Sequence, residues 1–230
     1  MKTSPVMPNL SEYQKHKEMI ERQIIAFGRH KPIDLKVAEQ TFLDVKKIID
    51  QAGIKFWLNS GTALGAVRDE DFISWDIDVD LTVLAKEWNF PIMFKEFGSK
   101  GFRCVKKIYP KLYKDKPLGV VIFRQGIQTD IDLNYYYPPE DLIISLPVEP
   151  HDHGTLQPAK FYRGNHFIDF LNTKVRVPYP PEEYFELYYG MNWKTPIKDW
   201  SWLRLREPIS IAKYVEYFHE HPEINQKVKK

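Results

Sequence analysis

Three aspartates that alternate with aliphatic residues are the side chains in this sequence best suited to chemistry. They are Asp76, Asp78 and Asp80, within the segment DIDVDL. A strand sends alternate side chains to the same face, so we expect the three carboxylates to share one side while the aliphatic residues face the core. Crowded carboxylates repel each other unless a cation neutralises them, and Mg²⁺ or Mn²⁺ prefers carboxylate oxygens. The pattern therefore predicts a divalent-metal site that handles phosphate groups.

A segment of small residues precedes the aspartates and suits phosphate binding. Ser60, Gly61 and Thr62 follow an apolar run, and a glycine between two hydroxyl residues lets backbone N–H groups approach a phosphate closely. We expect Gly65 and Arg68 to open a short helix after this turn, where the guanidinium of Arg68 could bind a phosphate. Either motif alone is common without a function. Their combination in this order predicts a phosphate and metal site.

Two parts of the sequence resemble the LicD family, which includes bacterial phosphocholine transferases and is similar to fukutin and fukutin-related protein. The first is residues 61–80, with GTALGAVR and ISWDIDVD; the second is residues 177–196, similar to the family's closing YG-x-x-W-x-x-P element. The resemblance covers residues 40–200 and implies membership of the nucleotidyltransferase superfamily. Ile77 departs from the family's run of acids, whereas Asp78 and Asp80 match its metal-binding D-x-D pair.

The resemblance also implies a third carboxylate on a later strand. Asp130 and Asp132 follow a predicted hairpin turn at residues 124–126 and would share a face. Asp132 lies between Ile131 and Leu133, which fits the family's apolar-Asp-apolar element better, so Asp132 is preferred and Asp130 is the alternative. The implied catalytic and metal-binding residues are Asp78, Asp80 and Asp132, and the implied substrate-binding residues are Ser60, Gly61, Thr62 and Arg68.

The resemblance implies a metal-dependent phosphotransferase that uses Mg²⁺ or Mn²⁺. It would move a phosphoalcohol, such as phosphocholine or ribitol phosphate, from a donor activated by cytidine diphosphate (CDP) to a hydroxyl of a glycan or glycan precursor. Lipopolysaccharide, capsule and teichoic acid are the acceptor classes that this implies. Two alternatives stay open. One is a nucleotidyltransferase that moves a nucleoside monophosphate from a triphosphate to a small molecule or sugar; the other, motivated by Ile77, is an inactive ligand-binding module of the same fold.

Composition limits the possible partners. The net charge of +2, from 33 basic and 31 acidic residues spread along the chain, does not favour a nucleic-acid partner. No run of roughly eighteen to twenty apolar residues occurs, so we expect no transmembrane segment and a cytoplasmic location. The basic residues 226–230 leave a peripheral membrane contact open.

These motifs require an α/β (α+β) fold, and the resemblance implies a nucleotidyltransferase-like mixed central sheet flanked by helices. The predicted elements are helices at 11–27 and 34–53, strands at 54–59, 76–84 and 102–108, and a hairpin over 118–137. Residues 1–230 would form a single domain, with an N-terminal helical extension (1–33), a catalytic core (34–145) and a C-terminal elaboration (146–230). We interpret the aromatic residues between 184 and 202 mainly as core, with stacking on a base or sugar as the alternative.

Overall fold

The computed structural model of the protein describes residues 32–107, 117–145, 153–198, 209–210 and 212–225. Within these ranges, eight strands form one mixed sheet, two strands form a separate hairpin, and helices flank the sheet. The predicted fold class is confirmed. The predicted helix at 11–27 and the basic residues 226–230 lie outside the described residues. None of the described helices has the length and apolar character needed to cross a bilayer.

The helices are α1 (Leu35–Gln51), α2 (Ser60–Arg68), α3 (Phe90–Ser99), α4 (Pro181–Tyr189) and α5 (Ala212–Glu220). The strands are β1 (Phe56–Leu58), β2 (Val79–Leu84), β3 (Arg103–Lys107), β4 (Gly119–Arg124), β5 (Ile127–Tyr137), β6 (Leu142–Ser145), β7 (His153–Pro158), β8 (Phe167–Phe170), β9 (Thr173–Arg176) and β10 (Ile209–Ser210). Short 3₁₀ turns occur at Ala85–Glu87, Pro138–Glu140, Ala159–Tyr162 and Pro222–Asn225.

Helix α1 forms where its sequence predicts. The Asp34 side chain accepts hydrogen bonds from the N–H groups of Lys36 and Val37 at 3.0 and 3.1 Å, which caps the first turn. Gly53 follows the helix with φ of 68°, a left-handed conformation that glycine adopts without strain, and the chain turns there toward β1. The buried side of the helix comprises Ala38, Thr41, Phe42, Val45, Ile48 and Ile49.

The sheet is organised around the long strand β5. Strand β2 runs parallel along one side of β5, with Asp80 opposite Asp130 and Thr82 opposite Asp132. On the other side, β4 and then β6 pair antiparallel with successive parts of β5. Strand β1 extends the sheet beyond β2, β3 extends it beyond β4, and β7 and β10 extend it beyond β6. The two strands that carry the acidic motifs are therefore direct neighbours.

The hairpin β4–β5 turns at Gln125 and Gly126, whose φ angles are 52° and 81°. Positive φ at both central residues is the geometry of a tight two-residue hairpin turn, as the sequence predicts at 124–126. Strand β2 differs from its prediction because it begins at Val79. Asp76 and Asp78 lie in the segment that leads into it, where Asp76 Oδ1 accepts the Ile77 N–H at 2.9 Å. Such a local bond competes with sheet pairing, so the expected continuous strand over 76–84 is corrected.

The Ser60-Gly61-Thr62 segment is the first turn of α2 rather than a separate turn before a helix. Ser60 has φ of 45°, in the left-handed region, and this lets the chain change direction between β1 and α2. Gly65 and Arg68, which were expected to open the helix, are instead its middle and its last residue. The N-terminal end of α2 is thus formed by the small residues themselves.

Candidate active site

Three carboxylates converge at the start of β2. One oxygen each from Asp78, Asp80 and Asp130 lies within 4.8 Å of the others. Asp80 and Asp130 are neighbours across the parallel pair β2–β5, and Asp78 stands just before β2. Asp130 is buried, with 7% of its surface exposed, and the other two are half-buried. An all-oxygen donor set of this compactness fits a hard divalent cation such as Mg²⁺ or Mn²⁺.

The third carboxylate of this cluster is Asp130, the alternative from the sequence, and not the preferred Asp132. Asp132 lies one step further along β5, opposite Thr82, whose hydroxyl donates to the Asp132 carbonyl oxygen at 3.3 Å. Asp130 and not Asp132 joins the cluster because the register of β2 against β5 places Asp130 beside Asp80. Asp132 shares the face of the cluster, and its role as a metal ligand stays a prediction.

The electrostatics of the cluster centre on Asp80. Burial raises the pKa of the Asp80 carboxyl well above its ordinary value, and the charges of Asp78, Asp130, Asp76 and Asp132 raise this pKa further. Each of these causes disfavours the ionised form of Asp80. A bound cation would favour the ionised form of Asp80 instead, since it would attract all of these carboxylates. The arrangement therefore resists ionisation by itself and favours a positively charged ligand.

Two hydrogen bonds fix the backbone of Asp80 to the start of α2. The Asp80 N–H donates to Thr62 Oγ1 at 2.9 Å, and the Asn59 N–H donates to the Asp80 carbonyl oxygen at 3.0 Å. The Asn59 side-chain oxygen in turn accepts the hydroxyl of the buried Tyr184 at 3.0 Å. Thr62 is buried, so its hydroxyl joins α2 to β2. Ser60 and Gly61 are partly exposed, and their role in phosphate binding stays a prediction.

Asp76 does not belong to the three-carboxylate cluster, although its charge acts on Asp80. Its carboxylate lies against the backbone of Gly61, in the first turn of α2. Burial raises the pKa of Asp76, while the hydrogen bond from the Ile77 N–H acts in the opposite direction. Asp76 therefore connects the segment before β2 to the start of α2.

Arg68 lies at the far end of α2 from Ser60. The two residues are eight positions apart, which corresponds to a rise of about 12 Å along a helix. The guanidinium of Arg68 is bound by the adjacent Asp69, with Nε to Oδ1 at 2.8 Å and Nη2 to Oδ2 at 2.7 Å. The structure thus does not bring Arg68 into the carboxylate cluster, and its contact with a substrate phosphate stays a prediction.

Gln128 also lies at this site, although it is outside the sequence motifs described above. It lies two residues before Asp130 on the same face of β5, it is 3% exposed, and its Nε2 donates to Asp130 Oδ2. The available signal was the run of polar residues at every second position of β5. This run comprises Gln128, Asp130, Asp132 and Asn134.

The aromatic residues of α4 and the segment after it form core. Tyr184, Phe185, Tyr188 and Trp193 are buried, with ring centroids 4.5 Å apart for Tyr184 and Tyr188 and 4.9 Å apart for Phe185 and Trp193. Their interpretation as core is confirmed. Trp200 and Trp202 lie outside the described residues.

Residues 53–180 match a family profile described as LicD/FKTN/FKRP, nucleotidyltransferase domain. The matched range contains β1 through β9, α2 and every carboxylate of the cluster. The chain belongs to the LicD/FKTN/FKRP family. The resemblance seen in the sequence is confirmed, and the carboxylate cluster lies within this family's nucleotidyltransferase domain.

Curated relatives of this LicD-family chain include two named ribitol phosphate transferases. Human ribitol-5-phosphate transferase FKTN is 27% identical over 172 residues, covering 74% of this chain and 36% of the relative. Human ribitol 5-phosphate transferase FKRP is 24% identical over 165 residues, covering 69% of this chain and 32% of the relative. The chain thus spans about a third of the length of these relatives. A solution structure of the antibiotic-resistance factor ANT(2'')-Ia matches 81% of this chain and 91% of that chain at 13% identity, with a TM-score of 0.45.

Proposed function

We propose that this chain is a metal-dependent transferase that moves a phosphoalcohol from a CDP-activated donor to a hydroxyl of a glycan. The observation that carries the proposal is the cluster of Asp78, Asp80 and Asp130 within the LicD-family domain. Relatives named as ribitol phosphate transferases support a phosphoalcohol as the group that moves. Ribitol phosphate is therefore the first group to test, and phosphocholine is the second.

The cluster would hold Mg²⁺ or Mn²⁺ through Asp78, Asp80 and Asp130, with Asp132 as a further acid on the same face. When bound, the cation neutralises charge on the donor diphosphate and on the cytidine monophosphate that leaves. The protein's part is to hold these carboxylates together against their repulsion. Thr62 and Asn59 hold Asp80 in place through hydrogen bonds to its backbone. Neither bond uses the Asp80 carboxylate, so its oxygens stay available for the cation.

The donor phosphates would bind beside this cluster at the first turn of α2. Ser60 and Gly61 are partly exposed there, and the first N–H groups of a helix are free of intrahelical partners and favour an anion. The small side chain of Ser60 lets a phosphate approach the backbone, whereas the Asp76 carboxylate occupies the space where a side chain at position 61 would lie. The donor diphosphate would thus lie between the α2 backbone and the carboxylates.

The acceptor would approach over the part of the sheet next to the cluster. Val121 in β4 is opposite Asp130, and Val105 in β3 is opposite Val121, so all three side chains face the same side. Val105 is 40% exposed and Val121 is half-buried, so this face is accessible to a large ligand. A glycan hydroxyl placed here would be next to the carboxylates.

The reaction needs a base for the attacking hydroxyl. Its oxygen bonds to the phosphorus that bears the alcohol, the bond from that phosphorus to the oxygen of cytidine monophosphate breaks, and the hydroxyl proton is released. A carboxylate of the cluster accepts that proton. Positioning the donor and acceptor side by side supplies much of the rate enhancement, because it replaces an encounter in solution.

A nucleotidyltransferase is the second candidate, because the family profile is described as a nucleotidyltransferase domain. It would use the same carboxylates but transfer the nucleoside monophosphate and release pyrophosphate. Product analysis with Mg²⁺ separates the two candidates. We would incubate the full chain with CDP-ribitol, CDP-choline or CDP-glycerol, and separately with nucleoside triphosphates, each with mixed sugar acceptors.

Acceptor-dependent release of cytidine monophosphate is the expected result. Release of pyrophosphate would establish the alternative, and no product from any donor would contradict both and favour the inactive module. Asp78→Asn should remove the activity. Asp169→Asn is the matched control, since Asp169 is an exposed aspartate that pairs with Lys174 on the separate hairpin β8–β9.

A further inference from the structure

The side-chain amide of Gln128 is buried, and only one of its two polar groups makes a hydrogen bond. Its Nε2 donates to Asp130 Oδ2, whereas Oε1 has no hydrogen-bond partner among the residues that the structure describes. The side chain is 3% exposed, so bulk water does not replace the missing partner. Buried polar atoms are nearly always hydrogen-bonded in folded proteins, and an exception at a candidate site indicates a missing ligand.

The orientation of this amide follows from its neighbour. An ionised carboxylate only accepts hydrogen bonds, so the Asp130 carboxylate requires the NH₂ half of Gln128 to face it. The carbonyl half must then point to another atom. Rotating the amide by a half-turn would bring two acceptor oxygens together and would leave the NH₂ group without the carboxylate.

The strand register places this amide beside the carboxylates. Val79 is opposite Thr129, so Gln128 stands at the level of Asp78 and one step before Asp130. Gln128 and Asp130 share a face of β5 because they are two residues apart. The amide bound to Asp130 therefore lies at the edge of the carboxylate cluster, with an uncharged oxygen to offer.

We propose that Gln128 is a positioning residue that completes the cation site. Its Nε2 holds the Asp130 carboxylate toward Asp78 and Asp80, and its Oε1 is an uncharged oxygen donor to the same divalent cation. Amide oxygens are ordinary ligands of hard divalent cations. A fourth carboxylate here would add repulsion to the cluster, whereas an amide adds an oxygen without a charge. The inference rests on the proposed function, because it requires a divalent cation at the cluster.

Mn²⁺ binding to the full chain tests the inference without any substrate, by titration calorimetry or by the electron paramagnetic resonance signal of free Mn²⁺. The test variant is Gln128→Met, which is similar in size and lacks both amide groups. We expect its Mn²⁺ affinity to fall roughly 10- to 100-fold, as is typical when a residue that orients metal ligands is replaced. The thermal midpoint of the metal-free variant should be measured alongside to show that it is folded, because the variant removes both the unpaired Oε1 and the hydrogen bond from Nε2 to the buried Asp130.

Two more variants make the result specific. Gln128→Asn keeps an amide but is one methylene shorter, so it should not reach Asp130 and should also lose about ten-fold or more in Mn²⁺ affinity. This variant also serves if Gln128→Met does not fold. Thr129→Val is the matched control, because Thr129 is buried on the opposite face of β5 with its hydroxyl oxygen unpaired among the described residues. Its Mn²⁺ affinity should equal that of the wild type.

The outcomes separate this inference from the proposed function. If the wild type binds Mn²⁺ and either Gln128 variant binds it equally well, Gln128 is not part of the site and the inference is overturned while the metal site stands. If the wild type binds no Mn²⁺, both the inference and the metal site of the proposed function are overturned.

Discussion

The backbone of Gly61 lies in direct contact with the carboxylate of Asp76. A Cβ atom at position 61 would be 2.3 Å from Asp76 Oδ2 and 3.3 Å from its Cγ, well inside the normal separation. Glycine is therefore favoured at position 61 by the Asp76 side chain and not by a positive φ. The contact connects the first turn of α2, where donor phosphates would bind, to the segment that carries Asp78 into the cluster.

We expect Gly61→Ala to reduce activity far more than stability. The atom that the new methyl group meets is the end of a side chain, so Asp76 can rotate away at small cost, but its charge then moves relative to the donor site. A misplacement of this size in an active site lowers turnover by roughly 10- to 100-fold. Turnover and urea unfolding should be measured together. Gly98→Ala, in α3 with nothing within 4 Å of the added Cβ, should leave activity unchanged; equal activity of both variants would contradict this account.

Gly65→Ala should mainly reduce stability, in contrast to Gly61→Ala, which should mainly reduce activity. A Cβ at position 65 would lie 2.6 Å from the carbonyl oxygen of Asp71 and 3.0 Å from the backbone nitrogen of Ile73. Backbone atoms cannot move aside as a side chain end can, so we expect the free energy of unfolding to fall by about 1–3 kcal/mol. Urea denaturation measures this change. A free energy of unfolding equal to that of the wild type would show that α2 can move away from residues 71–73 at no cost.

The stability of the metal-free protein should depend on the ionisation of Asp80. The pKa of Asp80 is raised above its ordinary value of 3.8, so the folded state holds this proton more tightly than the unfolded state does. The stabilisation is complete below the ordinary pKa and is lost as the pH rises through the raised pKa, at about 1.4 kcal/mol for each pH unit between the two pKa values. The thermal midpoint of the wild type should therefore fall over this range relative to that of Asp80→Asn.

At neutral pH, we expect metal-free Asp80→Asn to have a higher thermal midpoint than the wild type, because asparagine has the shape of aspartate without the charge that burial and the neighbouring carboxylates disfavour. Mg²⁺ should raise the midpoint of the wild type and leave that of Asp80→Asn nearly unchanged. Differential scanning calorimetry over a pH series, with and without Mg²⁺, measures both effects. A constant difference between the two proteins at every pH would mean that Asp80 is not the titrating group.

Thr62→Val tests whether the Thr62 hydroxyl positions Asp80. Valine has the same shape but leaves the buried N–H of Asp80 without its acceptor, which costs about 1–3 kcal/mol of stability. Because Asp80 is a ligand in the proposed metal site and this bond holds its backbone, Mg²⁺ affinity should fall as well. Thr62→Ser keeps the hydroxyl and is the control, with Mg²⁺ affinity close to that of the wild type. Loss of donor binding with Mg²⁺ affinity intact would favour the phosphate contact instead.

Tyr184→Phe should weaken the link between α4 and the site. The Tyr184 hydroxyl is buried and donates to the side-chain oxygen of Asn59. The backbone N–H of Asn59 in turn donates to the carbonyl oxygen of Asp80. We expect a loss of about 1–2 kcal/mol in unfolding free energy, because a buried acceptor loses its donor. Tyr179→Phe, at a tyrosine that is 45% exposed and stacks on His166, is the control and should change little. Equal effects of the two substitutions would argue against the link.

Features that depend only on neighbouring residues can be predicted from the sequence. The Asp34 cap, the hairpin turn at Gln125 and Gly126 and the apolar side of α1 all follow from local chemistry, and all are present. The sequence also predicted the acidic pair Asp78 and Asp80 and the membership of the LicD family. The predicted strand was wrong over residues 76–78, where the hydrogen bond from the Ile77 N–H to the Asp76 carboxylate takes the place of sheet pairing.

Contacts between residues that are distant in sequence depend on how the strands pair in the folded protein. Thr82 and Asp132 are 50 residues apart in sequence, and their pairing sets the register that puts Asp130 beside Asp80. A shift of two residues would have kept every side chain on its face and placed Asp132 there instead, so the hydrophobic pattern cannot distinguish the two registers. The same register brings the Gln128 amide to the cluster. Contacts between distant segments depend on how whole elements pack, and that information is not present in any one stretch of the chain.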